Sequence, residues 1–137
     1  MKHKNNVSDF IEERNQELLC SYKHLLSITD VIVPTEIYKQ LVKMPSTRFW
    51  VSEWRASIVL SRMFSGDKLQ NMQPTKRSMY QEIFRRAKVI LRKNPGMPML
   101  YVAFEVVNSP APRFFMTPGS ACRIINRYKQ QLRSCKK

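Results

Sequence analysis

Residues able to do acid–base, nucleophilic or metal chemistry are sparse in this 137-residue chain. It has two histidines, His3 and His24, and three cysteines, Cys20, Cys122 and Cys135. Neither histidine has a partner at metal-ligand spacing, and an isolated imidazole on a helix is more readily a solvent-edge side chain than a general base. Cys122 stands near the start of a predicted helix with Arg123 beside it, a setting that suits a reactive thiol, yet no base signature accompanies it. A small tucked-in thiol is the simpler expectation. Glu12, Glu13 and Glu17 are interspersed with Arg14 and Lys23, which fits a solvated helix face better than a metal site. Three glycines, Gly66, Gly96 and Gly119, cannot build a glycine-rich phosphate loop. The expectation is therefore no catalytic residue, no metal ligand, no cofactor and no enzymatic activity.

What the chain has in excess is positive charge. Lys and Arg number 24 against 10 Asp and Glu, a formal net charge of +14. The excess is uneven: nine basic against eight acidic residues over Met1–Asp67, then fifteen basic against only Glu82 and Glu105 over Lys68–Lys137. Such asymmetry points to an acidic polymer or an acidic protein surface. It divides the chain, read as one domain, into a near-neutral platform (1–67) and a strongly basic half (68–137).

The elements that must position these charges read as an all-α fold of five to six helices. Ser8, with Asp9, Glu12 and Glu13 after it, makes an N-cap, and Ile11, Leu18, Tyr22 and Leu25 continue at helical spacing to about Thr29. Val31-Ile32-Val33 reads as a short buried connector or strand stub. Pro34 opens a second helix through Ile37, Leu41 and Met44, stopped by Pro45. A third starts after Ser52 and ends at Gly66, with Trp54, Ile58, Val59 and Met63 as its apolar face. A fourth runs from Pro74-Thr75 through Met79, Ile83, Ala87 and Ile90 to Asn94-Pro95-Gly96. Met99–Val107 carries both periods, Leu100, Phe104 and Val107 as a helix or Val102, Phe104 and Val106 as a strand. Pro98 favours the helix, with a short strand or hairpin across 99–116 as the alternative. After the turn Ser109-Pro110-Ala111-Pro112, Thr117-Pro118 caps a last helix bearing Ala121, Ile124, Ile125, Tyr128 and Leu132 on one face.

On the fourth helix Arg77, Arg85, Lys88 and Arg92 fall within an arc of ~80° beside the apolar seam, opposed only by Glu82. On the last helix Arg123 and Arg127 lie along one edge and Lys129, Arg133 and Lys136 along the other. Thr117, Gly119 and Ser120 at its start offer backbone N–H groups and hydroxyls that suit a phosphate oxygen, although ordinary capping uses the same groups. Arg77, Arg85, Lys88, Arg92, Thr117, Lys129 and Arg133 are thus the expected phosphate contacts. A loose helix-turn-helix made of the 99–107 segment, the turn through Pro110 and Pro112 and the last helix, with a connector of about ten residues, would let Ser120, Arg123, Asn126 and Arg127 reach base edges. Phe49, Trp50 and Trp54 near Arg48 and Arg55, and Phe114 and Phe115 after Arg113, have the composition of base-stacking sites, but aromatics beside helix starts more often fill a core.

The stretches Pro45-Ser46-Thr47-Arg48-Phe49-Trp50-Val51-Ser52-Glu53 and Ser109-Pro110-Ala111-Pro112-Arg113-Phe114-Phe115-Met116-Thr117-Pro118 resemble parts of small uncharacterised basic proteins of gut-bacterial genomes, their phages and mobile elements. The resemblance covers about residues 45–130 and transfers no functional residue. It implies a bacterial or phage origin and a role in mobile-element biology.

The expected function is nucleic-acid binding, DNA before RNA, with duplex DNA held by its phosphates on two basic helices. The alternative is a phage or mobile-element structural protein docking on an acidic protein partner. No apolar run is long enough for a membrane span, no signal core follows the N-terminus, and the odd, scattered cysteines read as reduced thiols. A cytoplasmic location with no membrane partner follows.

Overall fold

Prolines, hydroxyl caps and one glycine set the helix boundaries. The computed structural model describes residues 3–135, with side chains described for 10–130. Among them lie six helices: α1 (His3–Ile28), α2 (Pro34–Val42), α3 (Glu53–Phe64), α4 (Pro74–Lys93), α5 (Met99–Val107) and α6 (Pro118–Cys135). There is no sheet among the described residues, so the all-α expectation holds; strand pairing is limited to an isolated antiparallel bridge between Ser46 and Ala111. None of the described helices is long and apolar enough to cross a membrane. The chain forms two compact units: a terminal unit, Met1–Met44 with Pro112–Lys137, and an inserted unit, Pro45–Ala111.

In the terminal unit α1, α2 and α6 pack on one another. Pro34 sits in the first turn of α2, where its missing N–H is no loss, and the Val33 carbonyl accepts from Glu36 and Ile37 N–H, both at 2.9 Å. The core is built from Leu18, Tyr22 and Leu25 of α1, Ile37, Tyr38, Leu41 and Val42 of α2, and Ala121, Ile124 and Ile125 of α6. Each fully buried aliphatic side chain contributes about 1.5–3 kcal/mol through water released from its surface. Tyr22 stacks on Tyr38 with centroids 5.7 Å apart. Phe114 is buried too, held where its N–H donates to the Val42 carbonyl at 3.2 Å.

Two sequence expectations fail in this unit. Helix α1 begins at His3, so Ser8 lies inside it and is no N-cap. Val31, Ile32 and Val33 are exposed and form no strand, because α1 and α2 close their core at the Tyr22–Tyr38 stack and leave the connector outside it.

In the inserted unit α3, α4 and α5 are mutually packed. Ser52 caps α3, its Oγ accepting from Arg55 N–H at 3.0 Å. The far end closes as a Schellman motif: Gly66, at φ 108°, donates to the Met63 carbonyl and Asp67 N–H to the Arg62 carbonyl, both at 3.0 Å. Only glycine takes that backbone angle without strain. The two ends of the insert are joined where Ser46 and Ala111 exchange backbone hydrogen bonds of 3.0 and 2.9 Å.

The segment 99–107 is a helix, which removes the strand or hairpin alternative, but its buried face is not the expected one. Val102, Ala103, Val106 and Val107 are buried, while Leu100 and Phe104 are exposed. Likewise α3 buries Ala56, Ser57, Val59 and Leu60, and Trp54, ~140° round the helix from Ala56 and Leu60, faces solvent. Small side chains on both helices let α3 and α5 approach closely, and the larger rings are left outside that contact. The expected helix-turn-helix pair is also divided: α5 packs with α3 and α4 in one unit, α6 with α1 and α2 in the other.

Candidate nucleic-acid interface

Helix α4 owes its place to Met79, Tyr80, Ile83 and Ala87, which turn one side into the core of the inserted unit. The opposite side carries Gln81, Arg85, Lys88 and Arg92, all exposed and within an arc of ~60°. Glu82, the sole acid on α4, is already engaged. It receives Arg85 Nη2 at 2.6 Å and Nε at 3.1 Å, and Arg86 Nε at 2.8 Å. Hydrogen bonds from Arg85 hold the Glu82 carboxyl below the usual carboxylate range, with Arg86 adding to the effect and partial burial opposing it. Lys88 rests its ammonium 4.7 Å from the centre of the Phe84 ring. Arg92 is exposed and has no ion-pair partner among the described residues. A ridge of cations therefore survives on α4, with its only carboxylate neutralised.

Arg77, the fourth expected member, does something else. Its guanidinium turns back on the loop before α4, donating from Nε to the Leu69 carbonyl at 3.0 Å and from Nη2 to the Met72 and Gln70 carbonyls at 2.8 and 3.4 Å. The loop needs such a clasp: Leu69 is buried at a φ of 54°, a left-handed angle unfavourable to leucine, and its N–H is held by Asp67 Oδ1 at 2.8 Å. Arg77 thus serves the loop before α4, its guanidinium turned toward these carbonyls and away from the exposed face of Arg85, Lys88 and Arg92. Beside this loop opens a cleft of about 830 Å³ rimmed by Arg62, Lys68 and Lys76, cations from two helices and the loop that no single helical stripe contains.

Arg86 is also structural. Its Nη1 donates to the Pro110 carbonyl at 2.6 Å and to Ser109 Oγ at 3.1 Å, and its guanidinium covers the buried Phe49 ring at 4.9 Å.

On α6, Thr117 acts as the helix cap: its Oγ1 accepts from Ser120 N–H at 3.1 Å and donates to Ser120 Oγ at 3.0 Å. Those hydroxyls are used within the chain, as ordinary capping requires. Arg123 Nη2 donates to Ser120 Oγ at 3.3 Å, and Asn126 Nδ2 reaches Cys122 Sγ at 3.5 Å. Arg123 and Arg127 are both exposed, one turn apart on α6. Lys129 does not project with them; it is half-buried over the Tyr22 ring at 5.2 Å. Arg133 and Lys136 lie outside the residues with described side chains, as do Leu132, Cys135 and His3.

The chain matches no protein-family model, and no similar curated protein or solved structure was found. The functional reading rests on geometry alone.

The remaining chemistry-bearing residues are dispersed. His24 and Cys20 are exposed. Cys122 is half-buried among the tyrosines; burial pushes the Tyr38 phenol above the usual tyrosine range, helped by its hydrogen bonds with Tyr22 and Cys122. Glu12 accepts from Gln16 Nε2 and from the Tyr128 hydroxyl, each at 3.1 Å, which ties α1 to α6. No group of three His, Cys, Asp or Glu able to hold a metal occurs among the described residues. Of the aromatics with base-stacking composition, Phe49 and Phe114 are core, Trp50 donates from Nε1 to Ser46 Oγ at 2.7 Å, and Phe115 lies under the Arg113 guanidinium at 4.9 Å. Trp54 alone is strongly exposed. Tyr101 and Phe104 join it, and neither was among the residues expected to stack bases.

Proposed function

We propose that this protein binds nucleic acid through its phosphate backbone, holding duplex DNA without reading its sequence. The observation that carries this reading is the α4 ridge, where Arg85, Lys88 and Arg92 share one exposed face whose only carboxylate, Glu82, is already held by two arginines. Arg123 and Arg127 form a shorter cationic pair of their own on α6, in the terminal unit. A ridge of this kind meets repeating phosphates by charge and releases their counterions, so affinity comes from the backbone shared by all sequences. The use of Ser120 and Asn126 in bonds within α6 argues for backbone contact over base reading there. Such a role places the protein in the cytoplasm, in a bacterial or phage setting consistent with the resemblance of residues 45–130.

Salt-titrated binding tests it. Each exposed cation that engages a phosphate should add about −0.9 to the slope of log affinity for a mixed-sequence duplex against log salt, so the α4 ridge alone gives about −3. Salt-insensitive binding, or none to duplex, single strand or RNA, overturns the reading. Capture of an acidic protein that survives nuclease treatment would favour the docking alternative instead.

A further inference from the structure

We infer that the outward face of α5 is a stacking site for the unpaired bases of a single nucleic-acid strand whose phosphates lie on the neighbouring α4 ridge. The inference rests on the phosphate-binding reading of α4 and adds a second ligand form to it.

The three most exposed large hydrophobic side chains of the inserted unit are all aromatic rings: Trp54 at 66%, Tyr101 at 63% and Phe104 at 58%. Leaving such rings in water is unfavourable, and the rest of the fold does not explain it, because α5 meets its own neighbours through Val102, Ala103, Val106 and Val107. Tyr101 and Phe104 lie within ~60° of each other on the helix, on the side away from that buried face. Trp54 follows Glu53, whose carboxylate receives Asn108 Nδ2 from the C-terminal end of α5 at 3.0 Å. Trp54 therefore stands beside the C-terminal end of α5, on the helix against which α5 packs.

The cationic ridge borders this aromatic face. Between α4 and α5 runs a groove of about 390 Å³, with Arg85, Val89 and Ile90 on one wall and Glu105 and Val106 on the other. Turning outward round α5 from Glu105, Tyr101 comes next, ~40° away, and then Phe104. Packed helices have axes roughly 8–10 Å apart, so the ridge and the rings lie on adjacent helices. A strand lying along α4 could place phosphates on Arg85, Lys88 and Arg92, pass its sugars over the apolar wall at Val89 and Ile90, and set bases against Tyr101 and Phe104. Glu105 disfavours phosphate on the α5 side and fixes the polarity of that crossing. A duplex, whose bases are already stacked on one another, gains nothing from the rings.

Aromatic faces flanked by cations bind single strands because every base offers a π-face, each stacked base contributing about tenfold or more in affinity. The test compares the full chain with a Tyr101→Ala/Phe104→Ala variant, using oligo(dT) and a mixed-sequence duplex at one salt concentration. The expected result is a loss of single-strand affinity of about tenfold or more, with duplex affinity within twofold of the parent. A Tyr101→Trp variant should bind oligo(dT) as the parent does, with its fluorescence quenched on binding. Since both rings are exposed, the alanine variant should fold, which far-ultraviolet circular dichroism checks. Unchanged oligo(dT) affinity, an equal loss on both ligands, or duplex binding by a parent that ignores oligo(dT) overturns the stacking site and leaves the phosphate ridge standing. If the variant changes only sedimentation, a second copy covers this face and the inference is likewise overturned. No binding of either ligand by the parent overturns both readings.

Discussion

The terminal and inserted units carry the same net charge and dispose of it in opposite ways. Counted over the sequence, Met1–Met44 with Pro112–Lys137 holds thirteen basic and six acidic residues, and Pro45–Ala111 holds eleven and four, so each nets +7. In the terminal unit α6, with Arg123, Arg127 and Lys129, packs on α1, which carries Glu12, Glu13 and Glu17, so acids and bases lie on neighbouring helices, and Tyr128 of α6 donates to Glu12. In the inserted unit the acids are few, and the one on α4 is held by two of that helix's own arginines. Exposed apolar residues divide in the same way. Among described side chains, the terminal unit exposes aliphatic ones, Ile11, Ile28 and Val31 to Val33, whereas the inserted unit exposes mainly rings. Net charge is therefore a poor guide to which unit holds a polyanion; what matters is whether carboxylates share the cationic face.

The largest expected effect breaks this comparison directly. Reversing Arg85, Lys88 and Arg92 to Glu should weaken duplex binding roughly 100-fold or more near 0.1 M salt and reduce the salt slope by about three. Reversing Arg123 and Arg127 should cost roughly tenfold, because this pair is shorter than the ridge and α6 packs beside an acid-bearing helix. Titrations on both variants, with duplexes of two unrelated sequences, check it. Equal losses per charge removed would show that the units contribute alike and that the contrast between them has no functional meaning.

A smaller effect separates ligand-facing from structural arginines within one helix. Arg77→Ala leaves the Leu69, Gln70 and Met72 carbonyls without their shared donor and removes the clasp on a left-handed leucine. It should lower stability by about 1–2 kcal/mol in denaturant unfolding while leaving the salt slope of duplex binding at the parent value. Arg92→Ala should do the reverse, with little change in stability and a slope reduced by about one. A slope change in Arg77→Ala would return that residue to the phosphate ridge.

Helix number and type were legible because the boundary signals are local. Pro34, Ser52, Pro74 and Thr117 act within a turn of their own position, and each marks a helix start as expected. Facing was harder to read. Periodicity assigns the largest apolar residues to the core, so Trp54, Leu100 and Phe104 were placed inside. The packing of α3 on α5 instead selects Ala56, Ser57, Ala103 and the valines, whose small size matters only once the two helices are known to be partners. The same blindness to partners affects charge. A helical wheel puts Arg77 on the stripe with Arg85 and Arg92, but its partners are loop carbonyls whose positions depend on a non-glycine residue at positive φ, and no pattern announces that. Splitting the charge at Asp67 follows the chain and not the fold, since α6 returns to pack beside α1.

The smallest expected effect is the pH response of the inserted unit through Glu82. Folding gives this carboxylate the Arg85 and Arg86 hydrogen bonds and holds its pKa below the unfolded value of about 4.3. The unfolded chain binds the proton more readily, so the stabilisation is complete above about pH 4.3 and is lost as pH falls from there through the folded value. The pair with Arg85 is exposed to solvent, which keeps the effect small and makes it weaken with salt. A Glu82→Gln variant should be slightly less stable than the parent near neutrality and should converge on it in acid, with the convergence seen in denaturant midpoints measured from pH 7 downward. The same substitution frees Arg85 from its bidentate partner and adds a unit of positive charge to the ridge, so it should also strengthen duplex binding at low salt. If Glu82→Gln loses stability and binds duplex no better, the carboxylate only holds α4 in place. If binding strengthens, Glu82 restrains the ridge, and the contrast between the two units becomes one of degree: each has carboxylates among its cations, with a single one on α4.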